Sequence, residues 1–355
     1  MTSVVTVFFP LDQTLQLGDQ GWTPATVAGS PLGAIRLGVE IPSYARAAAV
    51  FRDLTHVSLS KSSLHRLTTH YGQQVAAELA AEATAMVCVP RPDEAVVWRQ
   101  TPEPDSPMMN ISSDGVMIHL RAEGYKEVKT VAVSAVAQVT DAQTGETSVH
   151  LTHHSYRAGL WDAPTFANQL WAEATRRGVE KAKRLVSVND GAAWIWAIVS
   201  MCFARCTQIL DWYHATQRLW TIAAAYFGDD PAAATAWVET QKALLAKSDL
   251  PQVFHNLRGL YPRHHPCPEP VTKAFLYLFH NRWRAQRAPG YQECRQAGCP
   301  IGSGVIESAC KLVVQARMKQ AGMQWSRSGA QAMLALRSVL LSDRWSLLNA
   351  AVKST

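Results

Sequence analysis

Residues 128–139 read VKTVAVSAVAQV, a run in which β-branched and small apolar residues alternate with no glycine or proline to interrupt them. Alternation at period two is the signature of a strand, and the β-branched side chains suit a pleated surface better than a helix. Residues 108–120 (MMNISSDGVMIHL) lie upstream and carry a second apolar strand pattern. Downstream, Asp141 to Glu146 with Gly145 forms a turn, and Ser148 to Tyr156 reads as a third strand.

Beyond these strands the period changes. Asp162 opens a helical stretch with Phe166, Leu170 and Ala174 on one face, ending near Gly178. RLVSV at 184–188 is a short buried strand, AAWIWAIVSMCFA at 192–204 an apolar helix, and Thr207 to Leu210 another strand before a helix from Trp212. Strands joined without crossovers predict an antiparallel meander, and the later strand–helix alternation adds parallel strands. The expected fold class is therefore α/β with a mixed sheet in the order that a ribonuclease H-like fold requires.

The flanking segments divide as follows. Residues 1–41, rich in glycine and proline, predict an irregular arm, and 42–87 predict two helices separated by a short break. Ser60 can cap the second helix, with Leu59 and Leu64 placed for a hydrophobic staple. Leu64, Leu67 and Tyr71 then share its apolar face, leaving Lys61, His65, Thr68 and Thr69 outward. That pattern fits a helix-turn-helix DNA reader in which Lys61, His65 and Arg66 meet DNA, and it equally fits a plain helical hairpin. Residues 88–107 read as a linker, 108–228 as the first part of the α/β core, and 229–290 as a helical insertion broken by prolines. Residues 291–355 hold a loop from Tyr291 to Gly302 and then a long helical, basic tail that completes the core.

Hydrophobic residues make up 48% and charged residues 17% of the 355, which excludes a disordered chain. A formal charge of +6 favours a polyanionic partner. Seven irregularly spaced cysteines imply no disulfide framework and fit a reducing cytoplasm. Cys294 and Cys299 with His264 and His265 match no common zinc-finger spacing, so buried thiols are expected. No run is long enough to span a bilayer, and the first ten residues lack the basic flank of an export signal.

Individually, the acids have ordinary explanations. Asp114 in SSDG and Asp190 in NDG suit turns, Asp211 in DWYH suits a helix cap, and Glu307 suits the first turn of a helix. Together they lie on a first strand, at the end of a fourth, and on a helix that must return after the insertion. Phosphodiester chemistry needs such a carboxylate cluster, because Mg²⁺ prefers oxygen ligands.

The segments SDGVMIHL…YKEVK, NDGAAWIW…ILDWYHA and IGSGVIESACKLVVQARMK resemble the core blocks of bacterial insertion-sequence DDE transposases. They are most similar to the Kra-type family, allied to the Mutator-like group, over roughly residues 30–350. The resemblance implies catalysis and metal binding by Asp114, Asp190 and Glu307, with Mg²⁺ (or Mn²⁺ in its place) as cofactor. It also implies a supporting Asp-x-x-His element at Asp211 and His214; Asp211 is the second choice for the middle acid. Double-stranded DNA is the implied partner, held in a homodimer or higher oligomer. Arg282, Trp283, Arg284 and Arg287 form a basic–aromatic cluster that fits a phosphate contact and a solvated helix face equally, and Lys311 and Arg317 of the basic tail are further candidate DNA contacts. Such proteins usually carry a longer region ahead of the segment resembling PSYARAAAVF (42–51). The alternatives are accordingly a shortened or domesticated copy that only binds DNA, and a ribonuclease H-like nuclease that only cuts.

Overall fold

The alternating run forms the second strand of a five-stranded mixed sheet in the computed structural model, which describes residues 5–6, 31–86, 101–145, 147–261, 267–282, 284 and 290–353. A two-residue pair, β1 (Val5–Thr6) and β2 (Val57–Ser58), stands apart from that sheet. The sheet contains β3 (Met108–Leu120), β4 (Gly124–Thr140), β5 (Thr147–Gly159), β6 (Arg184–Asn189) and β7 (Thr207–Leu210) in the spatial order β5-β4-β3-β6-β7. β3, β4 and β5 form the antiparallel meander, while β6 and β7 run parallel to β3. The chain is thus α/β with a mixed sheet, as expected.

β4 is apolar along most of its length because both of its sides are covered. Val131 and Val133 pack with Met109 and Ile111 against α4 (Ala163–Arg176) and α5 (Ala193–Cys202). Val128 and Ala132, one step out of phase, pack against helices from both ends of the chain. These are α3 (Lys61–Ala85), α11 (Gly304–Ala309, continuing as a π-helical stretch Cys310–Gln315) and α12 (Arg327–Leu341). A third cluster joins Val186, Val188, Ile209 and Leu210 to α6 (Trp212–Phe227) and to the insertion, α7 (Pro231–Ala246), α8 (Leu250–Leu260) and α9 (Glu269–His280). Helix α10 (Tyr291–Gln296) follows, and α13 (Ser346–Lys353) comes last.

Several local expectations hold. Ser60 caps α3 by accepting the Ser63 amide, Asp162 caps α4 through Thr165, and Asp211 caps α6 through His214. Others need correction. The end of the expected irregular arm is a helix, α1 (Pro31–Glu40): Pro31 takes the first position, where its missing N–H costs nothing, and Ile35 and Val39 are fully buried. α2 (Tyr44–Thr55) and α3 share a small cluster around Phe51 and Leu64, but α3 also runs on into the core of the main sheet. Thr68 points inward, not outward, its hydroxyl donating to the Leu64 carbonyl at 2.8 Å. Residues 87–100 lie outside the described part, but the end of the expected linker is fastened to the core, Ser106 donating to the Val136 carbonyl at 2.7 Å. The expected loop from Tyr291 contains α10, and the expected basic tail is largely core. Arg317 and Arg337 are buried and donate to the Gly38 and Val39 carbonyls in the last turn of α1. Cations there complement the negative end of the helix dipole, so these arginines bind the two ends of the chain together.

A buried ion network ties α3, β5 and α4. Arg157 on β5 is 1% exposed and reaches Glu173 at 3.0 Å, Gln169 at 2.7 Å and Glu82. Arg176 pairs with Glu173 as well, and Arg344 reaches Glu82 at 3.3 Å. Among the described residues no helix is long and apolar enough to cross a membrane.

Candidate metal centre

The β3–β6 ladder runs from Met108↔Arg184 to Ile111↔Ser187 and then stops. Past that point Asn189 replaces the ladder with its side chain, Oδ1 accepting the Ser113 amide at 2.7 Å. The next residue on β3 is Asp114, paired across the other edge with Thr130 and therefore in mid-strand, not in a turn. Asp190 follows β6 directly and Asp211 follows β7 directly. Since Asn189 pairs with Leu210, the two acids leave neighbouring parallel strand ends side by side. The carboxyl ends of parallel strands are where open α/β sheets bind ligands. Glu307 stands in the first turn of α11, where Ser303 Oγ donates to its Oε1 at 3.3 Å.

These groups share one electrostatic neighbourhood. Burial raises the Asp114 carboxyl above its usual range; the Gly115 amide, 2.7 Å from Oδ1, opposes this, and the Asp190 charge reinforces it. Asp190 and Glu307 both act on His214, and Asp114 and Glu307 both act on Cys310. The three acids expected from the sequence are therefore brought to one end of the sheet. Asp190 uses one oxygen, Oδ1, to accept the Ala192 amide at 3.0 Å.

Asp211, His214 and Glu307 offer ligand atoms that all lie within 4.8 Å of one another, a group able to hold a metal ion. The donor chemistry divides their roles. Asp211 is fully buried, its Oδ1 accepts the Ser303 amide at 2.6 Å, and its Oδ2 accepts both the amide and Nδ1 of His214 at 2.7 Å. With three donors on it, Asp211 orients the imidazole and leaves Nε2 as the nitrogen for a ligand or phosphate. The hydrogen bond to Asp211 raises the His214 pKa, with burial opposing it and the surrounding carboxylates adding to the rise. Burial would raise Asp211 itself, but its hydrogen bonds from His214 and Ser303 outweigh that and hold it below the usual range. Carboxylate oxygens of Asp114, Asp190 and Glu307 suit a hard divalent cation better than an imidazole does.

No protein-family model matches the chain, and no curated protein matches it.

The insertion buttresses the Asp190 loop. Tyr277 on α9 donates its hydroxyl to the Asp190 carbonyl at 2.5 Å, and Asn281 accepts the Trp196 indole N–H at 2.9 Å. Gly191 between them has φ +96°, and a Cβ there would stand 2.9 Å from both Tyr277 and Asn281. Only glycine lets the loop pass so close. With Mn²⁺ as probe, Tyr277→Phe is expected to weaken metal binding roughly tenfold, the scale of lost positioning contacts around a metal site. Mn²⁺ titration would show it, and unchanged binding would make the contact a packing feature only.

Cys310 and Tyr277 were not singled out in the sequence. Cys310 follows Glu307 by three positions and so shares its helix face; its thiol donates to Asp114 Oδ2 at 3.6 Å. Nothing in the amphipathic pattern of α9 marks Tyr277. Of the expected DNA contacts, Lys61, His65, Arg66 and Lys311 are exposed. Arg317 is not available: it is 1% exposed and its guanidinium lies over Tyr44 and Trp325. Arg284 donates to Gln208 at 3.0 Å and lies over the Trp196 ring, a structural use that the basic–aromatic composition did not reveal. Arg282 lies over Phe279. Trp283, Arg287 and the His264–His265 pair lie outside the described residues, while Cys294 and Cys299 are buried thiols as expected.

Proposed function

We propose that the protein is a DNA transposase of the DDE type, in which Asp114, Asp190 and Glu307 hold divalent metal ions on a ribonuclease H-like core. One observation carries this reading above the others. Acids far apart in the chain meet at the carboxyl ends of β6 and β7, on a sheet ordered β5-β4-β3-β6-β7. A protein that only bound DNA would have no need to gather partly buried carboxylates at one point, where the charge of Asp190 raises the cost of ionising Asp114.

Bound cations would offset the charge that develops on the phosphoryl group and aid ionisation of the attacking oxygen. The chain's own residues do the rest. Asn189 holds β3 and β6 apart in fixed register beside Asp114, Asp211 fixes the orientation of His214, and Tyr277 anchors the Asp190 loop. The chemistry is hydrolysis at an element end, with water attacking phosphorus and a 3′-hydroxyl leaving. That hydroxyl then attacks a target phosphodiester and displaces its 3′-oxygen, with no covalent bond to the enzyme. Exposed Lys61, His65, Arg66 and Lys311 are the proposed phosphate contacts, and pairing of two element ends calls for a dimer or larger assembly.

The test uses the purified protein with DNA carrying the inverted repeats that flank its gene. Mg²⁺ or Mn²⁺ should give cleavage at the repeats and joined strand-transfer products, and a chelator should stop both. Cleavage without joined products would reduce the activity to a nuclease; no cleavage with either metal would sink the reading.

A further inference from the structure

A groove of about 880 Å³ opens beside the acids, between the edge strand β5 and the segment that leads into α11. Its continuity with the candidate centre is direct. Trp212 and Tyr213 follow Asp211 in the chain, and Gly304 and Ser308 bracket Glu307; all four line it. The described lining is aromatic, apolar and basic: it includes Arg295, His150, Val305 and Leu312, and no Asp or Glu is among the described residues that line it. That is the reverse of the neighbouring carboxylate cluster, and it suits a phosphate chain carrying flat bases.

Tyr213 is the decisive residue. It is 68% exposed, among the most open of the described large hydrophobics. One edge of its ring lies close to Gly302, where an added Cβ would stand 3.1 Å from the ring and 3.9 Å from Asp211 Oδ1. An open aromatic ring beside backbone offers a face on which a base can stack. Trp212 beside it is partly buried and carries the Arg295 guanidinium 4.8 Å above its ring, which places a cation at the groove wall. Leu312, 48% exposed, adds apolar surface, and the exposed Lys311 stands next to it in the chain.

We propose that this groove holds an unpaired DNA strand next to the metal centre, a base stacking on Tyr213 and the backbone following Arg295. The inference rests on the phosphodiester-cleaving reading of the adjacent acids. An intact duplex keeps its bases paired and stacked on one another, so it has no free face to lay on Tyr213. A frayed or tailed end has one, and base–aromatic stacking is tolerant of sequence. The substrate the groove favours is thus an end with a single-stranded segment, not a blunt duplex.

The experiment compares a blunt duplex with the same duplex bearing a single-stranded tail, the tail carrying 2-aminopurine as a stacking reporter. Affinity is read by anisotropy and stacking by quenching, with cleavage in Mn²⁺ followed on both substrates. The wild-type protein should prefer the tailed DNA and quench the reporter. Tyr213→Ala should lose about tenfold of that preference, and Tyr213→Phe should keep it. Leu312→Glu should weaken tail binding by bringing an acid into the groove. Equal binding of both DNAs by the wild type, or an undiminished preference in Tyr213→Ala, overturns the groove assignment while metal-dependent cleavage leaves the catalytic reading standing. Failure to bind or cut either DNA overturns both.

Discussion

Asp114→Asn, Asp190→Asn and Glu307→Gln are each expected to slow metal-dependent DNA cleavage at least about a thousandfold, a loss of ~4 kcal/mol of transition-state stabilisation. DNA binding should survive in all three, because each substitution only removes a negative charge and the phosphate contacts proposed at Lys61, Arg66 and Lys311 remain in place. Asp211→Asn is the internal control. Asp211 is occupied by the Ser303 amide and by both the amide and ring of His214. Its loss therefore acts through orientation, and a decrease of about 10- to 100-fold is expected. Single-turnover cleavage with titrated Mg²⁺ or Mn²⁺, alongside anisotropy for binding, separates these effects. If Asp190→Asn cleaved like the wild type while Asp211→Asn were dead, Asp211 would be the middle ligand and Asp190 a loop residue.

Glu173→Gln is expected to cost about 3–5 kcal/mol of stability. Glu173 is fully buried and faces Arg157 and Arg176, so the neutral amide would leave Arg176 without its carboxylate and Arg157, 1% exposed, with Glu82 alone. For a chain of this size that corresponds to a fall in Tm of roughly 5 °C. The same residue predicts a pH dependence. Burial alone would raise its carboxyl, but Arg176 and Arg157 prevail and draw the pKa from 4.5 down to about 2. A depressed carboxylate stabilises the fold above its unfolded value, and that contribution fades as pH falls from about 4.5 towards 2. Denaturant melts across this window should slope steeply for the wild type and more gently for Glu173→Gln. Equal midpoints for the two proteins at neutral pH would refute the role given to this network.

What could be read from the sequence depended on whether the cause was local. The meander was legible because period-two alternation in VKTVAVSAVAQV follows from the pleat itself, and the caps at Ser60, Asp162 and Asp211 act within three residues. Asp190 at the end of RLVSV and Glu307 in the first turn of its helix were placed correctly for the same reason. What was misread has distant causes. Arg317 and Arg337 look like a solvated basic tail until the Gly38 and Val39 carbonyls arrive from the other end of the chain. Pro31 and the glycines after it look like loop, and the helix is held by the burial of Ile35 and Val39 in a core built mostly from other segments. Asp114 in SSDG looks like a turn acid because Asp-Gly is a local turn signal, but its pairing with Thr130 of β4 overrides it. The Asp–His contact was foreshadowed by the Asp-x-x-His spacing, whereas the reach of Tyr277 to Asp190 was not, since it depends on how the whole insertion folds back.

The late position of α11 in the chain has a consequence for synthesis. A ribosome releases β3, β6 and β7, with Asp114, Asp190 and Asp211, well before Glu307 emerges, and α12 must still follow to close on β5 through Ser338 and Ser342. On the proposed reading, the growing polypeptide carries no complete metal centre while it is being made. On the same reading, a fragment that stops short of Gly304 cannot cut DNA, even where Lys61, His65 and Arg66 still let it bind.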